Sequence, residues 1–112
     1  MNAVDKINYS MPEIPEKTGA ITFTNTPTAS SSSVKQYGNI CVVRIQAYWQ
    51  TEQTGVIGVV SGIPLPSVSI QSVGVTDGEA GIGTLFLNGS FTAGKADGTA
   101  TDAVDFTFVY MA

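Results

Sequence analysis

An all-β fold, an antiparallel β-sandwich or jelly roll of about seven or eight strands, is what this sequence predicts. Three observations carry that reading. Apolar residues recur with a period of two, as in Ile21 and Phe23 or Val104, Phe106, Phe108 and Tyr110, which sets one face of a strand against a core. Turn residues separate these runs at regular spacing, with Pro27, Gly55, Asp77-Gly78 and Asn88-Gly89 as punctuation. No segment shows the 3.6-residue apolar period of an amphipathic helix.

Each element follows from local chemistry. Residues 1–18 read as an arm or linker, because Pro12 and Pro15 bracket Glu13-Ile14 and proline disfavours both helix and central strand. The head domain then occupies residues 19–112. Residues 19–26 read as a strand ended by Pro27. Residues 29–35 contain four consecutive serines between two strands, which predicts an edge strand or an ordered loop rather than a flexible linker. Residues 37–49 form the strongest signal, a single long strand. Cys41, Val43, Ile45, Ala47 and Trp49 make one wholly apolar face, while Ile40, Val42 and Tyr48 flank Arg44 and Gln46 on the other. A strand with apolar residues on both faces needs two covers. The opposite sheet supplies one, and a neighbouring subunit is the simplest second. Residues 50–55 read as a turn and Val56, Ile57, Val59 and Val60 as the next strand. An extended Gly62-Ile63-Pro64-Leu65-Pro66 follows. Val68, Ile70, Val73 and Val75 predict a strand bulged near residues 72–74. Ile82, Leu85, Phe86 and Leu87 predict another, turned by Asn88-Gly89 into Ser90-Phe91-Thr92. Residues 94–102 read as a long polar loop before the terminal strand.

At 112 residues the chain suits one domain. Only 12% of its residues are charged, where about a quarter is usual for a soluble domain, and Ser, Thr and Gly supply the polarity. A net charge of −4 with five scattered basic residues gives a nucleic-acid backbone nothing to bind. No apolar run approaches the ~20 residues of a membrane span, and the N-terminus lacks the apolar stretch of a signal peptide, so folding inside a cell is expected, without membrane insertion. The single Cys41 forms no internal disulfide and reads as a small buried hydrophobe.

The residues offer little chemistry. There is no histidine, which removes the commonest general base and metal ligand. The nine carboxylates are dispersed, and the closest pairs, Asp77 with Glu79 and Asp97 with Asp102, sit in Gly-rich segments where Asp is a turn former. Asp77-Gly78-Glu79 lacks the ligand density of a calcium site. The glycines of residues 78–83 have no lysine after them to hold phosphate. Asn88-Gly89-Ser90 fits a glycosylation sequon but reads better as a hairpin turn. Neither enzyme activity nor a cofactor nor a metal is expected.

One resemblance is carried by the order of five motifs: Gly19-Ala20-Ile21-Thr22-Phe23; Val34-Lys35-Gln36-Tyr37-Gly38-Asn39-Ile40-Cys41-Val42-Val43; Gly62-Ile63-Pro64-Leu65-Pro66; Gly83-Thr84-Leu85-Phe86-Leu87-Asn88-Gly89-Ser90; and Phe106-Thr107-Phe108-Val109-Tyr110. From Gly19 onward this order resembles the C-terminal head domain of bacteriophage tail-fibre and baseplate receptor-binding proteins. The resemblance implies a trimeric β-sandwich, similar in build to tumour-necrosis-factor heads, carried on a virion made in the host cytoplasm. It implies contact with a host-surface receptor, a saccharide or a protein. Three copies about an axis would cover the second face of the long strand or of the terminal strand. The sequence departs from a full fibre in that no long stem precedes the head.

Tyr37, Tyr48, Trp49 and Tyr110 could stack on a sugar, and Tyr37, Tyr48 and Trp49 are read as the ligand contacts. Tyr48 lies opposite the core face and is the better ligand contact, whereas Trp49 and Tyr110 read more readily as core or interface residues than as sugar contacts. Arg44 is expected to pair with a carboxylate at a subunit interface or to reach the strand edge. The alternative reading is a monomeric carbohydrate-binding module of a larger secreted protein. A small hydrolase has less support, because no base–nucleophile pair is present.

Overall fold

The computed structural model describes residues 15–97 and 99–112. Its described residues form ten antiparallel strands and no helix: β1 (Glu16–Thr18), β2 (Ala20–Phe23), β3 (Ala29–Ser30), β4 (Ser33–Tyr37), β5 (Ile40–Gln53), β6 (Val56–Ser61), β7 (Ile70–Thr76), β8 (Glu79–Leu85), β9 (Ser90–Lys95) and β10 (Thr101–Met111). The all-β expectation holds. The strand count is ten rather than seven or eight, and the strands join one continuous sheet nearly closed into a barrel, in the order β1-β4-β5-β10-β7-β8-β9-β6-β2. The two separate sheets of a sandwich or jelly roll are not what the hydrogen bonding records.

Closure comes from one extended segment. β1 pairs with β4 and β2 pairs with β6, so the two ends of the sheet order are consecutive in the chain, with Gly19 between them. The Gly19 amide donates to the Val34 carbonyl at 2.9 Å, and a Cβ at Gly19 would collide with the Ser61 carbonyl oxygen and the Val34 side chain. Only a residue without a side chain lets β4 and β6 approach there. Beyond Gly19 the strands diverge, leaving an open seam of about 340 Å³ between Ile21 and Phe23 of β2 and Ser30, Ser32 and Ser33. Residues 1–14 of the expected arm lie outside the described residues, and residues 16–18 belong to the sheet as β1.

The strand read over residues 37–49 is two elements. Tyr37 pairs with Ile40 across a two-residue turn, Gly38-Asn39, with Gly38 at φ 59°. β5 then runs on through residues 50–53, where a turn was expected. The serine tract keeps perfect register: Ala29↔Tyr48, Ser30↔Ala47 and Ser33↔Arg44 continue one antiparallel ladder. At its centre the Gln46 amide donates to Ser32 Oγ at 3.0 Å, so a hydroxyl replaces a main-chain acceptor. The tract is ordered, with β3 as a short edge strand on β5, residues 31–32 as an ordered link, and β4 flanked by β1 and β5.

The expected bulge at residues 72–74 is absent, because β7 and β8 pair without a break from Ile70↔Leu85 to Thr76↔Glu79. Bulges lie elsewhere. Between Tyr48↔Ala103 and Gln53↔Thr101, β5 carries four residues against one on β10. Between Val56↔Thr92 and Gly58↔Phe91, Ile57 is the extra residue of β6. The loop read over residues 94–102 is shorter than expected, with β9 reaching Lys95 and β10 starting at Thr101.

The core lies inside the barrel. Cys41, Val43, Ile45, Ala47 and Trp49 are all buried, as the alternation predicts, and Val104, Phe106, Phe108 and Tyr110 of the paired β10 share the same inner face. The glycine-rich run of β8 is part of this packing. Gly81 and Gly83 point inward, and a Cβ at Gly83 would stand 2.9 Å from the Phe106 ring and 3.0 Å from Phe108. Two phenylalanine rings fill the volume that small residues leave on the neighbouring strands.

Candidate functional site

Two features of the exterior stand out. The first is a groove of about 720 Å³ beside Tyr48, within the range of small-ligand sites. It forms where β10 loses its neighbours. β5 swings away at its bulge after Tyr48, and β7 meets β10 through the single ladder pair Asp105↔Val75 before turning at Asp77-Gly78. Ser72 Oγ reinforces that weak junction by donating to the Thr107 carbonyl at 2.8 Å. Tyr48, Ala103 and Val75 provide the apolar surface of the groove. Gln46, Asp105, Asp77, Ser30 and Ser31 provide its polar groups.

Asp105 is held from one side by Arg44, whose Nη2 lies 3.4 Å from Oδ2 with both side chains substantially exposed. Arg44 therefore finds its carboxylate within the same chain, and an exposed pair of this kind fixes geometry more than stability. Asp77 sits in the left-handed region at φ 48°, followed by Gly78 at 79°, the turn that matches strand twist. Among the described residues it has no ion-pair partner. The groove thus offers one exposed aromatic ring, an amide, two carboxylates and two hydroxyls. That set can stack on and hydrogen-bond a polyhydroxylated ligand.

Of the three aromatic residues read as ligand contacts, the structure brings one to this groove. Tyr48 is 45% exposed. Trp49 is 3% exposed. Its indole Nε1 donates to the Asn25 carbonyl at 2.8 Å, and its ring stacks edge-on against Phe23 at 5.7 Å, so no face is free for a sugar. Tyr37 is exposed on the same outer face as Tyr48 but eight β5 residues away through its partner Ile40, or about 27 Å at strand rise. The three form no common site. Gln46, Asp77, Asp105, Ser30 and Ser31 also line the groove and were not among the residues read as ligand contacts. Gln46 and Asp105, by alternation with the core positions of their strands, already had their outward side shown by the sequence.

No protein family, no characterised protein and no solved structure matches this chain. The site therefore rests on its own geometry.

The second feature is the amount of apolar surface outside. Val42 pairs with Val109 and Ile40 with Met111 on the outer face of β5 and β10. Val109 is 59% exposed and Met111 65%. On β7 and β8, Val73 pairs with Ile82, and Val73 is 79% exposed. The second face of the long strand is thus left open in a single subunit.

Three further titratable groups are held by local hydrogen bonds. Asp97 Oδ1 accepts from the Thr99 hydroxyl at 2.6 Å and the Thr99 amide at 3.0 Å. These hydrogen bonds favour the carboxylate and hold its pKa below the usual range. Lys35 is raised by its 2.7 Å contact with Glu16. The Tyr110 hydroxyl donates to the Pro64 carbonyl at 2.6 Å, with Cys41 Sγ 4.0 Å from the same oxygen. Burial, with the neighbouring Cys41 thiol adding to it, pushes the phenol up to about 12. Tyr110 thereby ties the Pro64 loop over one end of the barrel. Among the described residues no cluster of acidic or sulfur side chains could hold a metal ion.

Proposed function

We propose that this protein is a non-enzymatic structural head of a bacteriophage tail fibre or baseplate, acting as a homotrimer that contacts a host-surface receptor. The observation that carries this reading is the apolar exterior. Fourteen large apolar side chains among the described residues remain exposed, against fifteen apolar residues in the core. Scattered exposed apolar residues are ordinary, but rows in register such as Val42–Val109 and Ile40–Met111 make a contiguous surface of the kind that marks an interface. The ordered motifs from Gly19 to Tyr110 supply the phage assignment by resemblance, and with it the virion location. In this reading the nearly closed barrel takes the place of the two-layered sandwich of those heads. The Tyr48 groove is the receptor site, and a saccharide is the ligand class its ring and polar groups suit.

Light scattering at micromolar concentration tests the assembly. A mass three times that of the chain is expected, and a monodisperse monomer overturns the trimer. Titration with a panel of neutral oligosaccharides, followed by amide chemical shifts, tests the groove. Shifts should cluster at Tyr48, Gln46 and the Asp77 turn, and disappear in Tyr48→Ala with the fold intact. The exposed ring also suits the second reading, a monomeric carbohydrate-binding module. Sugar binding by a monomer selects that reading.

A further inference from the structure

One end of the barrel gathers features that neither the groove nor the core uses. The loop over residues 62–69, the turn over residues 86–89, the Gly38-Asn39 turn and the C-terminus all meet there. Tyr110 holds Pro64, the Gly89 carbonyl accepts from the Val60 amide at 2.8 Å, and the Ala112 amide donates to Asn39. The chain also enters here, since the Pro15 carbonyl accepts from the Gly38 amide at 3.0 Å. Loops usually expose polar residues, but these expose Leu65 at 39%, Val68 at 68%, Phe86 at 36% and Leu87 at 52%, beside Tyr37, Ile40 and Met111. No charged residue occurs in residues 62–69, 86–90 or 109–112. Among the described residues the nearest charges, Glu16 and Lys35, are paired with each other at 2.7 Å, with Lys17 beside them on β1; Asp5, Lys6 and Glu13 lie outside the described residues. Glu52, Asp77, Glu79, Asp97 and Asp102 all belong to the other half of the barrel.

We propose that this uncharged pole is the surface through which copies of this chain bind one another. The inference rests on the assembly reading above and names its contact. Three observations favour a second copy as the occupant. A chain of net charge −4 repels itself wherever its acids face each other, and contact at this pole keeps the carboxylates of the opposite half apart. The seven exposed side chains offer on the order of 400 Å² of apolar surface, at up to ~120 Å² for each one fully exposed. One side of a standard interface holds about 450 Å², some 57% of ~800 Å². The pole also carries both a projection and a recess, with Val68 68% exposed next to Ser69 at the rim of a hollow of about 500 Å³ lined by Phe86, Leu87 and Asn88. A knob of one copy entering the hollow of the next is a heterologous contact, which closes into a ring when its rotation permits.

The test compares solution masses of the unmodified 112-residue chain, the double variant Val68→Asp/Leu87→Asp and the side-face variant Val73→Asp, each checked for an unchanged thermal transition. The pole variant should raise the dissociation constant at least about tenfold, while Val73→Asp keeps the wild-type mass. Dissociation by Val73→Asp with the pole variant still assembled overturns this inference and leaves the assembly reading standing. A wild type that stays monomeric overturns both. A monomeric wild type that co-sediments with phosphatidylcholine vesicles, and loses that binding in the pole variant, reassigns the pole to a lipid surface and overturns the inference.

Discussion

The inward glycine at position 83 shows how closely the core depends on single residues. Its missing Cβ is the space into which Phe106 and Phe108 fit. Gly83→Val drives two methyl groups into rings that are themselves 2% and 1% exposed. Overpacking of that kind costs about 1–3 kcal/mol, and a lower urea midpoint at constant slope is the expected reading. Tyr110 makes a pH-dependent contribution. Its phenol is pushed up to about 12 in the folded chain, against about 10 in an unfolded one. The stabilisation is therefore complete below pH 10 and disappears as pH rises from about 10 through about 12. Tyr110→Phe should lower stability near neutrality by about 1 kcal/mol, for the lost bond to Pro64. It should also flatten the alkaline limb of a stability profile measured from pH 8 to pH 12, and an unchanged limb would place the loss elsewhere. Tyr48 belongs to the opposite category. Its ring is 45% exposed, so Tyr48→Ala should shift stability by less than about 0.5 kcal/mol while removing sugar-induced shifts in the groove.

At the scale of elements, the decisive event is the transfer of one extended segment from β4 to β6 at Gly19. Gly19→Val places a branched side chain against the Ser61 carbonyl and Val34. Loss of about 1–3 kcal/mol is expected, with amide exchange accelerated in β1, β2 and β6 and unchanged between β5 and β10. Uniform acceleration across all strands would mean that closure is inseparable from the rest of the fold. This region also marks the boundary of what the sequence discloses. Alternation in residues 41–49 and 104–110 gave the core face correctly, because each side chain's direction follows from the strand period alone. Asp77-Gly78 and Asn88-Gly89 were legible as turns, since Asp77-Gly78 adopts positive φ and Asn88 Oδ1 accepts from the Ser90 amide. Gly38-Asn39 went unread as a turn because apolar residues flank it closely on both sides, although the buried positions change across it from even (Val34) to odd (Cys41, Val43). The β5 bulge was illegible for another reason. Gln53 is buried by hydrogen bonds from Asn25 and to Thr51, and polar residues satisfied in this way look like turn residues in a sequence. Of the groove, Tyr48 could be anticipated from its side of the strand. Asp77 and Asp105 could not, since they reach it from separate strands that only the sheet order brings together.

Over the whole molecule, that order sets how the chain can fold. β10 is the last strand made and lies in the middle of the sheet, between β5 and β7. Its ladder with β5 joins residues 40–53 to residues 101–111, so the largest continuous pairing is also among the most distant in sequence. Phe106 and Phe108, two of the largest fully buried side chains, arrive with it. Without β10, Cys41, Val43, Ile45 and Ala47 would lose the neighbouring strand on one side of β5, and Gly74 and Gly83 would face the space left by Phe106 and Phe108. The remaining hairpins, β4–β5 and β7–β8–β9, are local, but an isolated hairpin is marginal in water. A chain ending at Ala100 is therefore expected to show no cooperative thermal transition and no dispersed amide spectrum. Adding residues 101–112 as a separate peptide should restore both, because β10 makes its ladder contacts only with other segments of the chain. Slow folding accompanies such long-range pairing, since loop closure precedes any contact that rewards it. A chain ending at Ala100 that still melts cooperatively would mean that the core forms around β8, β9 and β6 first, with β10 as a late addition rather than the strand on which the barrel is assembled.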